Sequence, residues 1–155
     1  MPNYQKSTIL NLGAGQKIIE GAINLDIKNG EKIDTVCDIR DGLPFDDESM
    51  TEVIADYVLC QVCEPEKFRF VLNEIWRVLK PNGWLKLRVP DARFPAAFQD
   101  PMDCRRFVKE TFDYFNKDHY RFKAFNYNFK PWTIVKIEQE REDRLYVEMR
   151  KSLRV

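Results

Sequence analysis

The chain has 155 residues, with 25 acidic and 25 basic side chains and one histidine. This length favours a single domain, 1–155, large enough to bury a core without staples. The neutral balance gives no general electrostatic grip on nucleic acid. No apolar run reaches the roughly 18 residues of a membrane span. Residues 1–8 carry no signal-peptide core, so the expected location is the cytoplasm.

In chain order, residues 8–12 form a short apolar run ending in Gly13, Ala14 and Gly15. That predicts a buried strand entering a tight glycine turn. Residues 22–27, 33–39 and 52–58 predict three more strands, with Asp26 and Asp38 near the ends of the first two. A turn over 41–45 precedes the fourth strand. Pro65 suits a first helical turn, and Phe68, Val71, Leu72, Ile75 and Leu79 make one apolar stripe along the helix it opens. Lys80, Pro81, Asn82 and Gly83 stop that helix. Residues 84–89 predict a fifth strand, closed by Pro90. The segment 91–130 is rich in Phe and Tyr, with a short helix expected over 103–115. Residues 133–140 and 145–151 read as a hairpin. These elements predict an α/β fold: a Rossmann-like, mainly parallel sheet with a C-terminal antiparallel hairpin and reduced helix content.

In such sheets ligands bind beyond the carboxyl ends of the strands, where the strand order reverses. The glycine turn, Asp26, Asp38 and the Ala55-Asp56-Tyr57 end of the fourth strand all fall there. Their convergence on one rim is the functional signal. Gly13 and Gly15 allow close backbone approach to a ligand, though such turns are common. Asp26 suits a ribose diol; a solvated strand-end acid is the plain alternative. Asp38 and Ile39 suit an adenine amino group and ring face, while Asp38 alone reads as a turn residue.

Cys60 and Cys63 form a lone C-x-x-C, with Cys37 and Cys104 elsewhere. One histidine and no second pair leave no metal site in prospect. The expectation is small structural thiols in a reducing compartment, neither metal-bound nor joined as a working disulfide.

From Leu10 to Gly15, through Gly21 to Ile27, Asp38-Ile39 and Leu43-Pro44-Phe45, the chain resembles the class I S-adenosylmethionine-dependent methyltransferases, in their small-protein subgroup. The resemblance covers residues 9–90. Its most specific piece runs from Glu74 to Leu85 and matches the family's E-x-x-R-V-L-K-P-G-G-x-L helix-to-strand corner. The resemblance implies S-adenosylmethionine as cofactor. It implies Gly13 and Gly15 along the methionine part, with Asn11 and Ala14 also at the cofactor. Asp26 would hold the ribose, with Ile27 beside it at the cofactor, and Asp38 and Ile39 the adenine. Ala55 and Asp56 would lie under the sulfonium, with Tyr57 next to the acceptor. Three departures stand out. Gln16-Lys17 replaces the third glycine, only 11 residues separate Gly15 from Asp26, and Cys60-Gln61 stands where relatives often carry Glu-His.

Methyl transfer from a sulfonium is a direct displacement, so the protein mainly aligns the acceptor and excludes water. Tyr57 at the rim and His119, the sole histidine, are the catalytic candidates, each with packing as its alternative. Residues 105–130 hold nine aromatics and seven Lys or Arg, which suits stacking on bases or sugars or a lid that closes the core. The DNA amino-methylation signature and the Pro-Cys pair of cytosine C5 chemistry are absent. A small molecule or saccharide is therefore the expected acceptor. A non-catalytic S-adenosylmethionine-binding module is the second reading. A nicotinamide oxidoreductase ranks last, because Ile18 replaces its third glycine. No full helix fits between Gly15 and Ile23, which predicts one bare, apolar sheet face. A homodimer would cover it, unless residues 94–129 fold back over it.

Overall fold

The computed structural model of the protein describes residues 7–153. Seven strands form one sheet: β1 (Ile9–Leu12), β2 (Ile23–Asp26), β3 (Thr35–Val36), β4 (Met50–Asp56), β5 (Leu79–Pro90), β6 (Trp132–Glu140) and β7 (Arg144–Lys151). Their order is β3-β2-β1-β4-β5-β7-β6. All neighbours from β3 to β5 pair in parallel, and β7 is antiparallel to both β5 and β6. The expected fold class is therefore the observed one. Two helices accompany the sheet, α1 (Pro65–Val78) and the short α2 (Tyr120–Phe125). No described helix is long and apolar enough to cross a membrane.

The strands alternate apolar and polar residues, and register sends each set to one face. Leu10, Leu12, Ile23, Leu25, Val53, Ala55, Leu85, Leu87, Val147 and Met149 are buried on one side. There they meet the stripe of α1, with Phe68, Val71, Leu72, Ile75 and Val78 buried. The aromatic segment after β5 adds to this same side: the Phe107 and Phe115 rings lie 6.1 and 5.8 Å from Phe68. Residues 94–129 thus extend the α1 layer and do not fold back over the other face.

The opposite face is polar, which corrects the expectation of an apolar patch. Glu52, Asp56, Lys86, Arg88, Tyr146 and Glu148 lie along it by register. Lys86 pairs with Glu52 at 3.0 Å and Arg88 with Glu140 at 2.9 Å. The physical reason offered for a homodimer falls with that patch. Over β1 and β2, a loop replaces the missing helix. Asn11 and Asn24, both buried, hold it down: the Asn11 amide donates to Lys17 O at 2.8 Å and to Asn24 Oδ1 at 2.9 Å. Asn24 Oδ1 also accepts from Ile19 N at 3.0 Å.

Boundaries shift where local chemistry differs from simple periodicity. Helix α1 stops at Val78, and β5 begins at once, with a register shift between Met50 and Glu52 on the partner strand. Asn82 turns the corner at φ +62°, which Asn tolerates better than most residues. A Cβ on Gly83 would stand 2.8 Å from Lys80 O, so glycine is required there. The helix expected over 103–115 is only a 3-10 run, Lys109–Tyr114, and α2 follows it.

The cysteines also differ from expectation. Cys63 and Cys104 form a disulfide across 41 positions, while Cys37 and Cys60 are free. The 60–63 spacing does not pair with itself; the backbone brings Cys104 to Cys63 instead, because Cys104 N and Arg105 N both donate to Cys60 O at 3.0 Å. No cluster of metal-ligating side chains occurs among the described residues.

Candidate active site

The strand order reverses between β1 and β4, and the carboxyl ends of β1, β2 and β4 frame one rim. Leaving β1, Gly13 and Gly15 adopt φ of +62° and +50°, a conformation costly for side-chain-bearing residues. Gly13 is also sterically required: an added Cβ would lie 2.5 Å from Val58 Cγ2. Between them Ala14 is buried, its N–H donating to Leu25 O at 2.9 Å. The turn is thereby tied to the end of β2.

Asp26 sits at that end. Its Oδ2 accepts from Gly15 N at 2.8 Å and its Oδ1 from Lys28 N at 2.9 Å. A carboxylate offers about four acceptor positions, so two remain beside an open glycine turn. Ile27 is exposed next to it. Asp38 caps the following 3-10 turn through Arg40 N at 3.0 Å, and both its oxygens take Arg40 guanidinium bonds, at 2.9 and 2.7 Å. The Arg40 guanidinium holds the Asp38 carboxyl below its usual range. Ile39 opens that turn. A hollow of about 570 Å³ adjoins it, lined by Arg40, Asp41, Glu64, Lys67 and Phe70 among others. Gly13, Gly15, Asp26 and Tyr57 do not line this hollow.

On β4, Ala55 is buried in the core, and Asp56 points to the polar face, where Lys17 and Arg88 pair with it. Burial lowers and the Glu140 bond raises the Arg88 affinity for its proton, with the bond dominant. Tyr57 then has φ +57°, rare for an aromatic residue. Its N–H donates to Arg88 O at 2.9 Å, and its hydroxyl accepts from Arg144 Nη1 at 2.9 Å. Strain of this kind concentrates at functional sites.

The structure brings Gly13, Ala14, Gly15, Asp26, Ile27, Asp38, Ile39, Asp56 and Tyr57 to the rim side of the sheet. Three expected residues stand apart, the first being Ala55, whose side chain is wholly buried in the core. Asn11 spends its buried amide on the loop over β1. His119 lies at the far end, a correction set by topology: its N–H donates to Asn116 O, and Asn116 bridges Trp132, the first residue of β6. β6 runs parallel to β5, so Trp132 marks the amino-terminal end of the sheet. There His119 Nδ1 accepts from Arg121 N at 3.2 Å and caps α2. Sequence reasoning missed Lys17, whose ion pair with Asp56 spans the rim, and Arg144, which reaches Tyr57 from β7. Neither carried a sequence signal, since both contacts join positions 39 and 87 residues apart.

Residues 11–87, about half of the chain, match the family model described as "Methyltransferase domain". No curated protein sequence matches. Among solved structures, a SAM-dependent methyltransferase from Archaeoglobus fulgidus is 14% identical, covering 94% of this chain and 86% of its own, with TM-score 0.65. The 1,6-didemethyltoxoflavin-N1-methyltransferase of Burkholderia thailandensis, solved with bound 1,6-didemethyltoxoflavin and S-adenosylhomocysteine, is 15% identical, with 93% and 70% coverage and TM-score 0.62. The N-methyltransferase NodS from Bradyrhizobium japonicum WM9, solved with S-adenosylhomocysteine, is 14% identical, with 94% and 78% coverage and TM-score 0.61. At such identities the likeness is one of fold. Residues 11–87 thus match a methyltransferase domain, and the glycine turn and strand order set it in the fold shared with the S-adenosylmethionine-dependent methyltransferases.

Proposed function

We propose that the chain binds S-adenosylmethionine at the glycine turn and transfers its methyl group to a small-molecule or saccharide acceptor above the ends of β4 and β5. The observation that carries this reading is the contact of Gly15 N–H with Asp26 Oδ2, which fixes an acid with spare acceptor capacity beside a turn that needs glycine. Those residues fit a ribose diol and a neighbouring backbone-lined chain. The fit is thinner at Asp38, which would have to share its oxygens between an adenine amino group and Arg40. When bound, the cofactor supplies an electrophilic methyl on a sulfonium sulfur. Asp26 and the turn orient it, and Tyr57, held by Arg144 and the Arg88 carbonyl, forms a fixed wall on the β4 side. Fixed geometry, not proton removal, is what this displacement asks of the protein.

Calorimetry with S-adenosylhomocysteine tests the reading. Micromolar or tighter binding is expected, weakened by about 1–3 kcal/mol in Asp26→Ala through an unpaired diol. No binding by the intact protein refutes it. A cofactor-binding module without turnover is the second reading, and the distance of His119 from the rim favours it for acceptors that need a base. Cofactor binding without turnover against a broad acceptor panel would favour the module, and S-adenosylhomocysteine formation with any acceptor the enzyme.

A further inference from the structure

We propose that the Cys63–Cys104 disulfide is a redox latch that fixes the loop between β5 and the aromatic segment against the exit of β4. The loop leaves the sheet at Asp91 and returns at Phe107; these two residues form a bridge, and Ala92 N donates to Phe107 O at 2.8 Å. Its return limb is rooted by Arg105, which donates to Val62 O at 2.8 Å and Cys63 O at 3.0 Å and lies 4.1 Å over the Phe68 ring. Between these roots, the tip has little to hold it. Ala97 and Asp103 are its only buried residues, while Phe98 and Met102 are 59% and 67% exposed. Up to Asp103 its backbone bonds are local, Ala97 to Phe94 and Asp103 to Asp100, with Arg106 4.5 Å over the Phe98 ring; Cys104 N then donates to Cys60 O at 3.0 Å. The Asp103 carboxylate reaches Gln61 and Cys60 at 3.2 and 3.4 Å. The disulfide is the one covalent tie from this limb to the residues that leave β4.

Both bridged cysteines are exposed, which makes the bond reachable by thiols; exposed disulfides are the labile class. The nearest alternative partner is disabled. Cys60 is fully buried, and burial with the Asp103 carboxylate pushes its thiol up to about 12, so it supplies no thiolate for shuffling at neutral pH. The exchange is therefore between two states. An external dithiol is oxidised to its cyclic disulfide, the S–S bond breaks, and two electrons and two protons pass to the Cys63 and Cys104 sulfurs. A low-molecular-weight disulfide such as oxidised glutathione reverses this and leaves as two thiols.

Release of the tip would bare the ends of β4 and β5, where the proposed acceptor sits; that consequence alone rests on the proposed function. The test is hydrogen exchange read by mass spectrometry on the full chain, equilibrated with oxidised glutathione or with dithiothreitol, with intact mass reporting the bridge. Reduction should raise exchange over 93–104 at least tenfold and leave β1, β4 and β5 unchanged. Cys104→Ser and Cys63→Ser should show the raised rate under both conditions. Three results overturn the proposal: no bridge after oxidation, equal exchange in both states, or loss of protection across the whole sheet, which marks a structural staple. Should either variant not fold, the reduced wild-type chain gives the same readout. Failure of S-adenosylhomocysteine to bind in both states would remove the methyltransferase reading and leave the latch standing.

Discussion

Replacing Gly13 by alanine tests the rim at its most constrained point. The backbone there has φ +62°, and the new Cβ would stand 2.5 Å from Val58 Cγ2. Left-handed backbone costs a side-chain-bearing residue roughly 1–2 kcal/mol. Carbon atoms prefer about 3.5–4.0 Å, so Val58 must move by about 1 Å or the turn must open, an overpacking worth about 1–3 kcal/mol. Together these give about 2–5 kcal/mol, a large share of a typical domain's stability. The two parts are separable. In Gly13→Ala/Val58→Ala the clash is relieved and only the backbone cost remains, so a double-mutant cycle should return a favourable coupling of about 1–3 kcal/mol. Urea unfolding followed by tryptophan fluorescence, from Trp76, Trp84 and Trp132, reads all four proteins. A single variant within about 0.5 kcal/mol of wild type, or strict additivity in the cycle, would refute the steric argument.

Asn24→Ala should cost about 1–3 kcal/mol, because the Asn11 amide and Ile19 N–H both lose their acceptor; an unchanged urea midpoint with unchanged exchange at Ile19 would count against it. Acid should destabilise the protein through several carboxylates. Arg93 holds Asp91 low, Arg77 holds Glu74 low, and Arg88 holds Glu140 low. A folded-state pKa below the unfolded one gives stability that is complete above the ordinary carboxylate range and lost as pH falls through the depressed values. The urea midpoint should thus drop between about pH 5 and pH 2, and a flat midpoint would contradict these pairings. Cys60, with its thiol pushed up to about 12, should resist iodoacetamide at neutral pH when folded and react after unfolding; rapid native labelling mapped by peptide mass to Cys60, and not to the half-buried Cys37, would show the thiol is not buried.

The rim was legible because its parts are local. Gly13 to Gly15, Asp26 and the corner from Glu74 to Leu85 each carry their geometry in adjacent residues, and the corner works as written. Arg77, part of that motif, ties α1 to the preceding turn by donating to Phe45 O at 2.8 Å and Leu43 O at 3.0 Å. Glu74 completes it by accepting from Leu43 N at 2.8 Å. Asn82 takes the left-handed backbone of the corner at φ +62°, which asparagine tolerates better than most residues. What was not legible is long-range. The disulfide joins residues 41 apart through the return of a loop, and spacing alone favours the neighbouring C-x-x-C. His119 is carried away from the rim because the aromatic segment runs the length of the sheet before β6 begins.

The open sheet face is built to meet water. Parallel strands buried on both sides read as continuous apolar runs. Here β5 reads Trp84, Leu85, Lys86, Leu87, Arg88, Val89, and β7 reads Leu145, Tyr146, Val147, Glu148, Met149, Arg150. Both alternate strictly, the pattern of a strand with one face in water. The polar members then satisfy one another across strands. Arg88 joins Asp56, Glu140 and the Tyr146 ring, the last at 4.7 Å, and Arg150 lies 4.2 Å over Trp84. Stacked guanidinium and paired charges shield the sheet backbone while staying hydrated at their edges. Among the described residues, backbone covers this face only over β1 and β2, where Asn11 and Asn24 hold down the short loop after the glycine turn. The same loop delivers Lys17 to Asp56. Among the described residues the face is thus covered by polar side chains on β4, β5 and β7 and by one loop on β1 and β2, and that loop also ties the rim at the end of β1 to Asp56 on β4.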